Sequence, residues 1–201
     1  MKPYSSDVAF SDEVKKVQTE RGSRSAYARV EKGGGFRTEV TDELRQFLEM
    51  IDTAYVATSA DGQPYIQHRG GPKGFIRAVD DHTLGLVDFA GNRQYISTGN
   101  LRTNDRVCLF LMDYAHRRRV KIWGSAKMVP LTDALLDVLA DPTYKARPEQ
   151  VLLITVEAWD VNCPQHIPQK LDADDVARAI EPLQRRIKSL EAELAALKAR
   201  G

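Results

Sequence analysis

The chain has 201 residues, of which 42% are hydrophobic and 28% are charged, and its formal net charge at pH 7 is +1. This composition is that of a globular domain and excludes the disordered and fibrous classes. The near-neutral charge argues against a general attraction to nucleic acid or acidic membranes, so any anion must be bound by a local group of cations.

The two cysteines, Cys108 and Cys163, are far apart and form no CxxC pair. They argue against a disulfide framework and favour a reducing compartment, with a single bridge between them as the minor alternative. The first residues lack the apolar core of a signal peptide, and no stretch reaches the ~20 apolar residues of a membrane helix. We therefore expect a cytoplasmic protein that binds neither membranes nor nucleic acid.

Helices are predicted near the start of the chain. Residues 1–40 form a polar and basic extension with one short helix around 11–20, capped by Ser11 or Asp12. A second helix is predicted over 41–51, because Thr41 supplies a cap and the apolar residues that follow recur at helical spacing.

Strand signals dominate the middle of the chain. A β-rich run at 53–59 meets the run at 64–69 through Asp61-Gly62, a dipeptide typical of tight hairpins. Helices are predicted over 91–104 and 131–139, where the strand pattern is interrupted. The remaining strand signals lie at 74–80, 82–88, 106–113, 119–129 and 151–161.

The spacing of these elements predicts the fold class. About seven short strands joined by tight turns favour an α+β fold with an antiparallel β-barrel and flanking helices over a βαβ sheet. A barrel also removes exposed strand edges. We expect residues 41–170 to form this domain, with residues 1–40 and 171–201 as extensions.

The C-terminal extension predicts an amphipathic helix. Pro182 is expected in its first turn, where the missing N–H costs nothing. Three arrangements stay open: packing on the chain's own barrel, pairing with the same helix of a second chain, and a free tail. The apolar residues recur at alternating spacings of three and four, typical of a coiled coil, at Ile180, Leu183, Ile187, Leu190, Leu194 and Leu197.

Two segments combine cations with features that suit a phosphate. Between Gln67 and Phe75, glycines that allow close approach of a ligand lie among a histidine, an arginine and a lysine. Between Asp88 and Arg93, a strand leads into a predicted helix, and an arginine in the first turn of a helix implies a compensating anion. A solvated glycine-rich turn and an exposed arginine are the respective alternatives.

The third basic segment runs from His116 to Arg119. If this segment is a strand, Arg117, Arg119 and Lys121 share one face. Nucleic-acid binding is the alternative, but the segment lacks the aromatic residues that usually lie between the basic residues of such a site. Farther on, Cys163 and the histidine near it are too few for a zinc site, so no metal is expected. Phosphate loops of the GxxxxGK[ST] and GxGxxG kinds are absent.

Three segments together resemble the pyridoxamine 5′-phosphate oxidase-like flavoproteins, over roughly residues 40–165. They are DGQPYIQHRGGPKGF, TLGLVDFAGNRQYISTGNLRTNDRVCLFLMD and RRRVKIWGSA. The closing NCPQHI and the leading helical segment resemble a flavin-nucleotide-binding branch of that family, not the vitamin-pathway oxidase. The resemblance implies a split barrel that binds FMN and a homodimer with the flavins at the interface, each touched by both chains.

The resemblance also implies roles for single residues. Arg119 takes the position of a polar side chain near the flavin ring. If the chain is an oxidoreductase, His68 and His166 are candidate catalytic residues on the substrate face, with a structural role as the alternative for each. The expected cofactor-binding residues are Tyr65, Ile66, Gln67, His68, Arg69, Lys73, Val87, Asp88, Asn92, Arg93 and Arg119.

An FMN-dependent oxidoreductase acting with a small-molecule substrate or a nicotinamide cofactor is the leading functional hypothesis. The chain departs from the oxidase where Tyr65 and Gly70 replace an arginine and a lysine, and where Gln94 replaces the second cation of a basic pair. These departures argue against oxidation of pyridoxamine phosphate. The alternatives are a flavin-storage or stress protein without turnover, and a haem or deazaflavin binder on the same barrel.

Overall fold

The structure is a computed structural model that describes residues 3–161 and 163–199. These residues form two compact units: one lies within 1–113 and 118–164, and the other within 114–117 and 165–201. None of the helices in the described part of the chain combines the length and apolarity needed to cross a bilayer. Both cysteines are free thiols, so the predicted minor alternative of a single bridge is wrong.

The first unit is built on a single antiparallel sheet. Within the described residues the strands are β1 Thr53–Ala60, β2 Gln63–Gly70, β3 Ile76–Ala78, β4 Thr83–Phe89, β5 Arg106–Asp113, β6 Arg118–Val129 and β7 Pro148–Val161. Their order in the sheet is β2-β1-β5-β6-β7-β4-β3. The predicted α+β class with an antiparallel split barrel is confirmed.

Helices flank this sheet and follow it. They are α1 Asp12–Glu20, α2 Arg24–Lys32, α3 Asp42–Met50, α4 Ile96–Thr103, α5 Asp133–Leu139 and α6 Ala173–Lys198, and Ser5–Val8 is a 3-10 turn. The predicted caps are present: Ser11 Oγ accepts a hydrogen bond from the Val14 N–H, and Thr41 Oγ1 accepts one from the Leu44 N–H.

Two helix predictions are corrected. The helix predicted over 91–104 begins only at Ile96, because Arg93 and Tyr95 adopt left-handed conformations with φ of 60° and 53°. The side chain of Asn92 accepts a hydrogen bond from the Gln94 N–H at 3.2 Å, which forms a local turn in place of a helical one. Arg93 therefore precedes the helix.

The C-terminal helix also starts earlier than predicted, so Pro182 lies inside α6 and not in its first turn. Asp172 caps the helix by accepting a hydrogen bond from the Asp174 N–H at 3.1 Å. The acidic residues of the first turn interact favourably with the positive end of the helix dipole.

The prediction for the third basic segment is also corrected. Arg117 lies in a turn with φ of 53°, so only Arg119 and Lys121 share the predicted strand face.

The inner face of the sheet and α3 enclose the main core, where alternate strand residues are buried. Trp159 is fully buried and its indole N–H donates to the Glu39 carbonyl at 2.7 Å. A Cβ placed on Gly124 would lie 2.0 Å from the Thr155 carbonyl oxygen, so only glycine fits where β6 and β7 shift register.

The N-terminal helices pack against the same unit. Phe36 stacks on Trp123 of β6 at a centroid distance of 5.4 Å. The N-terminal segment also carries a group of charges, here called the N-terminal cluster, made of Asp7, Lys15, Arg24 and Glu31. Lys15 lies 2.5 Å from Asp7 and 3.5 Å from Glu31, and Glu31 also pairs with Arg24. The helix α2 that carries Glu31 was not predicted.

Polar side chains join the two ends of the sheet. Arg69 on β2 pairs with Asp88 on β4, although β2 is the first strand of the sheet and β4 is the last but one in the strand order. Helix α4 links the same region, because Ser97 donates to Gln67 at 2.9 Å and Asn100 donates to Thr58 on β1 at 3.0 Å. The split of the barrel is therefore bridged by side chains and not by a backbone ladder.

The second unit contains a short turn and the long helix α6. The Gln169 amide donates to the Ala115 carbonyl at 2.9 Å, and the Lys170 ammonium lies 4.4 Å from the centre of the Tyr114 ring. These contacts tie the segment before α6 to the turn within this unit.

Candidate functional site

A cavity of about 200 Å³ opens where β2, β4 and the start of α4 meet, at the split of the barrel. We call it the cleft. It brings together predicted site residues from two separate segments of the chain: Gln67, Arg69, Asp88, Asn92 and Arg93.

The alternation of β2 decides which of its residues reach the cleft. Gln67 and Arg69 pair in register with the buried residues Val56 and Ala54 of β1, so their side chains point to the inner side of the sheet. Tyr65 shares that side and is half-buried.

Arg69 is the cation at the base of the cleft, and its side chain is 15% exposed. One terminal nitrogen donates to the Asp88 carboxylate, while the buried Nε–H has no hydrogen-bond partner among the described residues. A buried donor without a partner costs about 1–3 kcal/mol, which an incoming ligand oxygen would recover. Arg69 therefore lines the cleft and keeps one donor that no described residue uses.

The charge of Asp88 is already compensated. Besides Arg69, it accepts a hydrogen bond from the Gln150 amide at 2.8 Å, and the same amide donates to Thr98 on α4 at 3.0 Å. This carboxylate holds the arginine in place, and the Gln150 amide links it to the start of α4. Its repulsion of an anion in the cleft is reduced by these partners.

Arg93 is the exposed cation of the cleft. Its Nε–H donates to the Tyr95 hydroxyl at 3.4 Å, and that hydroxyl donates to Glu149 at 2.6 Å. The bond with Tyr95, with the nearby Glu149 charge, raises the pKa of Arg93 above its already high value. The guanidinium is thus a permanent positive charge at this rim.

The start of α4 adds a third source of positive potential. Tyr95 stands at the N-cap but provides no side-chain hydrogen bond, so the first N–H groups of the helix have no capping partner there. Ser97 and Thr98 of this first turn line the cleft. Uncapped helix N–H groups and two arginines together suit a phosphate.

Some predicted residues lie on the outer face of the sheet. Ile66 is 65% exposed, and His68 packs edge-on against Tyr55 at a centroid distance of 5.8 Å. Arg119 pairs in register with Met112 and lies on the same outer side of β6 as Lys121. Its Nε is buried without a hydrogen-bond partner in the described residues.

The structure does not bring the remaining predicted residues into the cleft. Val87 is buried in a small second core with Leu139 and Val151, so only its backbone is available to a ligand. Lys73 lines a different cavity of about 410 Å³ beside α3 and β3. His166 belongs to the second unit, where it is exposed with φ of 62°. The roles of all these residues stay predictions.

Several cleft residues were missed by the sequence reasoning. The Ser97-Thr98 pair was a usable signal, because hydroxyl side chains in the first turn of a helix suit an anion, but the helix start was misplaced. Glu149 and Gln150 come from the start of β7, and nothing local in the sequence connects them with Asp88.

The comparisons with known proteins agree with the fold. A family model described as pyridoxamine 5′-phosphate oxidase matches residues 40–163. The chain belongs to the pyridoxamine 5′-phosphate oxidase family. No curated protein matches the sequence at a significant level.

Several solved structures resemble this chain across most of their own length. HupZ of Group A Streptococcus is 22% identical, and the match covers 65% of this chain and 98% of that chain with a TM-score of 0.47. An FMN-binding protein from Syntrophomonas wolfei is 12% identical, with 76% and 96% covered and a TM-score of 0.46. An FAD-binding protein from Mesorhizobium loti is 16% identical, with 59% and 89% covered and a TM-score of 0.42.

Proposed function

We propose that this family member binds FMN, with the phosphate in the cleft, and acts as an FMN-dependent oxidoreductase in the cytoplasm. The observation that carries the proposal is the buried Arg69, whose Nε–H is unused and whose partner Asp88 also accepts a hydrogen bond from the amide of Gln150. Membership of a flavoprotein family supplies the choice of ligand, and the cleft supplies the charge that the ligand needs.

The charges of the cleft favour a phosphomonoester over an uncharged ligand. Arg69 offers a fixed donor at the base, Arg93 offers a permanent cation at the rim, and the start of α4 offers backbone N–H groups between them. Ser97 and Thr98 add hydroxyls. The acidic residue at this rim, Glu149, already accepts a hydrogen bond from Tyr95.

The residues predicted to contact the flavin ring lie on the outer face of the sheet, so the ring of the bound FMN would extend beyond the cleft toward that face. We also propose that two copies of the chain form a homodimer in which the outer faces of the two sheets enclose the flavin rings, which gives Ile66, His68 and Arg119 access to them. FMN would supply the redox chemistry. Arg119 would place a cation near the ring and favour its reduced, anionic form, and His68 would line the space for a small-molecule substrate or a nicotinamide cofactor. His166 of the second unit stays a candidate catalytic residue.

A comparison of FMN with riboflavin tests this proposal. Riboflavin lacks the phosphate, so the apo-protein should bind FMN much more tightly in a flavin fluorescence titration. Arg93→Ala should weaken FMN binding about tenfold or more and leave riboflavin binding unchanged, since one charge-assisted bond contributes about 1.5–3 kcal/mol.

The matched control is Arg102→Ala, which removes a cation from the last turn of α4, outside the cleft. It should leave FMN binding unchanged. Equal affinities of the unmodified protein for FMN and riboflavin would overturn the proposed phosphate site.

A further inference from the structure

The helix α6 presents an apolar seam that the single chain leaves exposed. None of its described residues is buried. The seam residues are exposed by between 42% and 67%, namely Ile180, Leu183, Ile187, Leu190, Leu194 and Leu197. A regular stripe of this kind on a surface marks an interaction site, because scattered single apolar residues would be the ordinary case.

The residue types of the seam select a two-stranded parallel pair. In heptad positions abcdefg, Ile180 and Ile187 take position a, and Leu183 and Leu190 take position d. Isoleucine at a with leucine at d favours parallel dimers over trimers and tetramers. The pattern continues through Leu194 at a and Leu197 at d, and it extends backwards to Val176 at d.

The flanking charges select the same arrangement. Arg186 and Glu193 take position g, and Glu191 and Lys198 take position e. In a parallel pair in register, each g residue faces the e residue of the next heptad on the other helix. Arg186 then faces Glu191, Glu193 faces Lys198, and each pairing occurs twice by symmetry.

An antiparallel pair satisfies fewer of these charges. If all seam layers stack, Arg186 of one helix meets Glu193 of the other, but Glu191 meets Gln184 and Lys198 meets an alanine. In the single chain Arg186 lies 3.7 Å from Glu193 of the same helix, an exposed pair that contributes little. In the parallel pair, by contrast, both Arg186 and Lys198 face a glutamate of the other helix.

We infer that the α6 helices of two copies of this chain form a parallel, in-register coiled coil. Most of the stability of a helix in a protein comes from packing of its amphipathic face, so burial of the seam against a second copy stabilises α6. The inference deepens the proposed homodimer by naming a surface that joins the chains. It is independent of flavin binding, because no α6 residue lines the cleft.

Cysteine cross-linking in the full-length chain tests the register. In a background of Cys163→Ser, Leu190→Cys should form a covalent dimer under mild oxidation, because two copies of one d position face each other only in a parallel pair in register. The matched control, Ser189→Cys, lies at position c and should remain mostly monomeric on a denaturing gel. Leu190→Cys that fails to cross-link would overturn the inference, as would cross-linking of Ser189→Cys to the same extent.

A charge exchange tests the orientation with a second measurement. Arg186→Glu should raise the dimer dissociation constant about fivefold in sedimentation experiments, because it puts two glutamates opposite each other. Arg186→Glu combined with Glu191→Arg should restore the original value. Antiparallel pairing, or packing of α6 on the chain's own barrel, predicts no such recovery. FMN binding that persists while cross-linking fails would reject the coiled coil alone.

Discussion

The first unit contains two groups of partly buried charges that differ in one respect. In the N-terminal cluster, Lys15 and Arg24 face Asp7 and Glu31, so cations and carboxylates are matched within the cluster. In the cleft, Arg69 faces Asp88, but the carboxylate is shared with an amide and the arginine keeps an unused buried donor.

This difference separates a structural ion cluster from a binding site. In the N-terminal cluster the buried Glu31 Oε1 also lacks a hydrogen-bond partner among the described residues, but the Lys15 ammonium lies 3.5 Å from it and offsets its charge. The buried Arg69 Nε–H is a donor of the same kind that lies beside a cavity, and such a donor is costly unless something binds to it. Arginine-rich sequence alone does not distinguish the two cases, because both clusters contain arginines near acidic residues. The comparison predicts that cleft variants change ligand binding and that variants of the N-terminal cluster change stability only.

The largest effect is expected from Arg69→Ala. It leaves the buried Asp88 without its cation, and breaking such a pair costs about 3–5 kcal/mol of unfolding free energy. FMN binding should be lost at the same time, since the donor at the base of the cleft is gone. Urea unfolding and flavin titration measure the two effects.

A double variant separates the two roles of Arg69. Arg69→Met with Asp88→Asn removes both charges, so most of the stability should return while FMN binding stays lost. If the folded double variant bound FMN as tightly as the unmodified chain, the cleft would not be the phosphate site and the comparison of the two clusters would fail.

A smaller effect is expected from Glu31→Gln. Glu31 is buried and faces both Lys15 and Arg24, so removal of its charge should lower the unfolding free energy by about 1–3 kcal/mol. FMN affinity of the folded protein should not change. The matched control is Glu13→Gln, which alters an exposed pair with Lys16 and should have almost no effect on stability. A loss of FMN affinity in Glu31→Gln would contradict the separation of the clusters.

The elements that the sequence predicted well are those with local signals. The strand predicted over 106–113 agrees with β5, because an apolar run of that length between polar residues has few alternatives. The hairpin at Asp61-Gly62 is confirmed, and both residues have positive φ, of 50° and 78°. Resemblance to a family correctly gave the fold, and the structure brings two of the segments that it singled out to one cavity.

The elements that were missed depend on contacts between distant residues or on weak local signals. Helix α2 has a polar sequence without a strong apolar periodicity, so no local pattern predicted it. It is held in place by the ion pair of Glu31 within the N-terminal cluster. The left-handed Arg93 and Tyr95 cannot be inferred from residue type, because positive φ is uncommon for both. Gln150 contributes to the cleft only because β7 lies next to β4 in the sheet.

The smallest effect expected is a pH dependence that belongs to the N-terminal cluster. The hydrogen bond from Lys15 to Asp7, with the nearby charge of Glu31, raises the pKa of Lys15 above its ordinary 10.5. A base whose pKa is higher in the folded state stabilises the fold fully below its unfolded pKa, and the contribution is lost as the pH rises through the folded pKa. Between about pH 9 and pH 12, the unmodified chain should therefore lose more unfolding free energy than Lys15→Met does in urea titrations. Lys16→Met, which removes an exposed lysine of the same helix, should follow the unmodified chain, and identical alkaline losses in all three proteins would show that the cluster contributes nothing to stability.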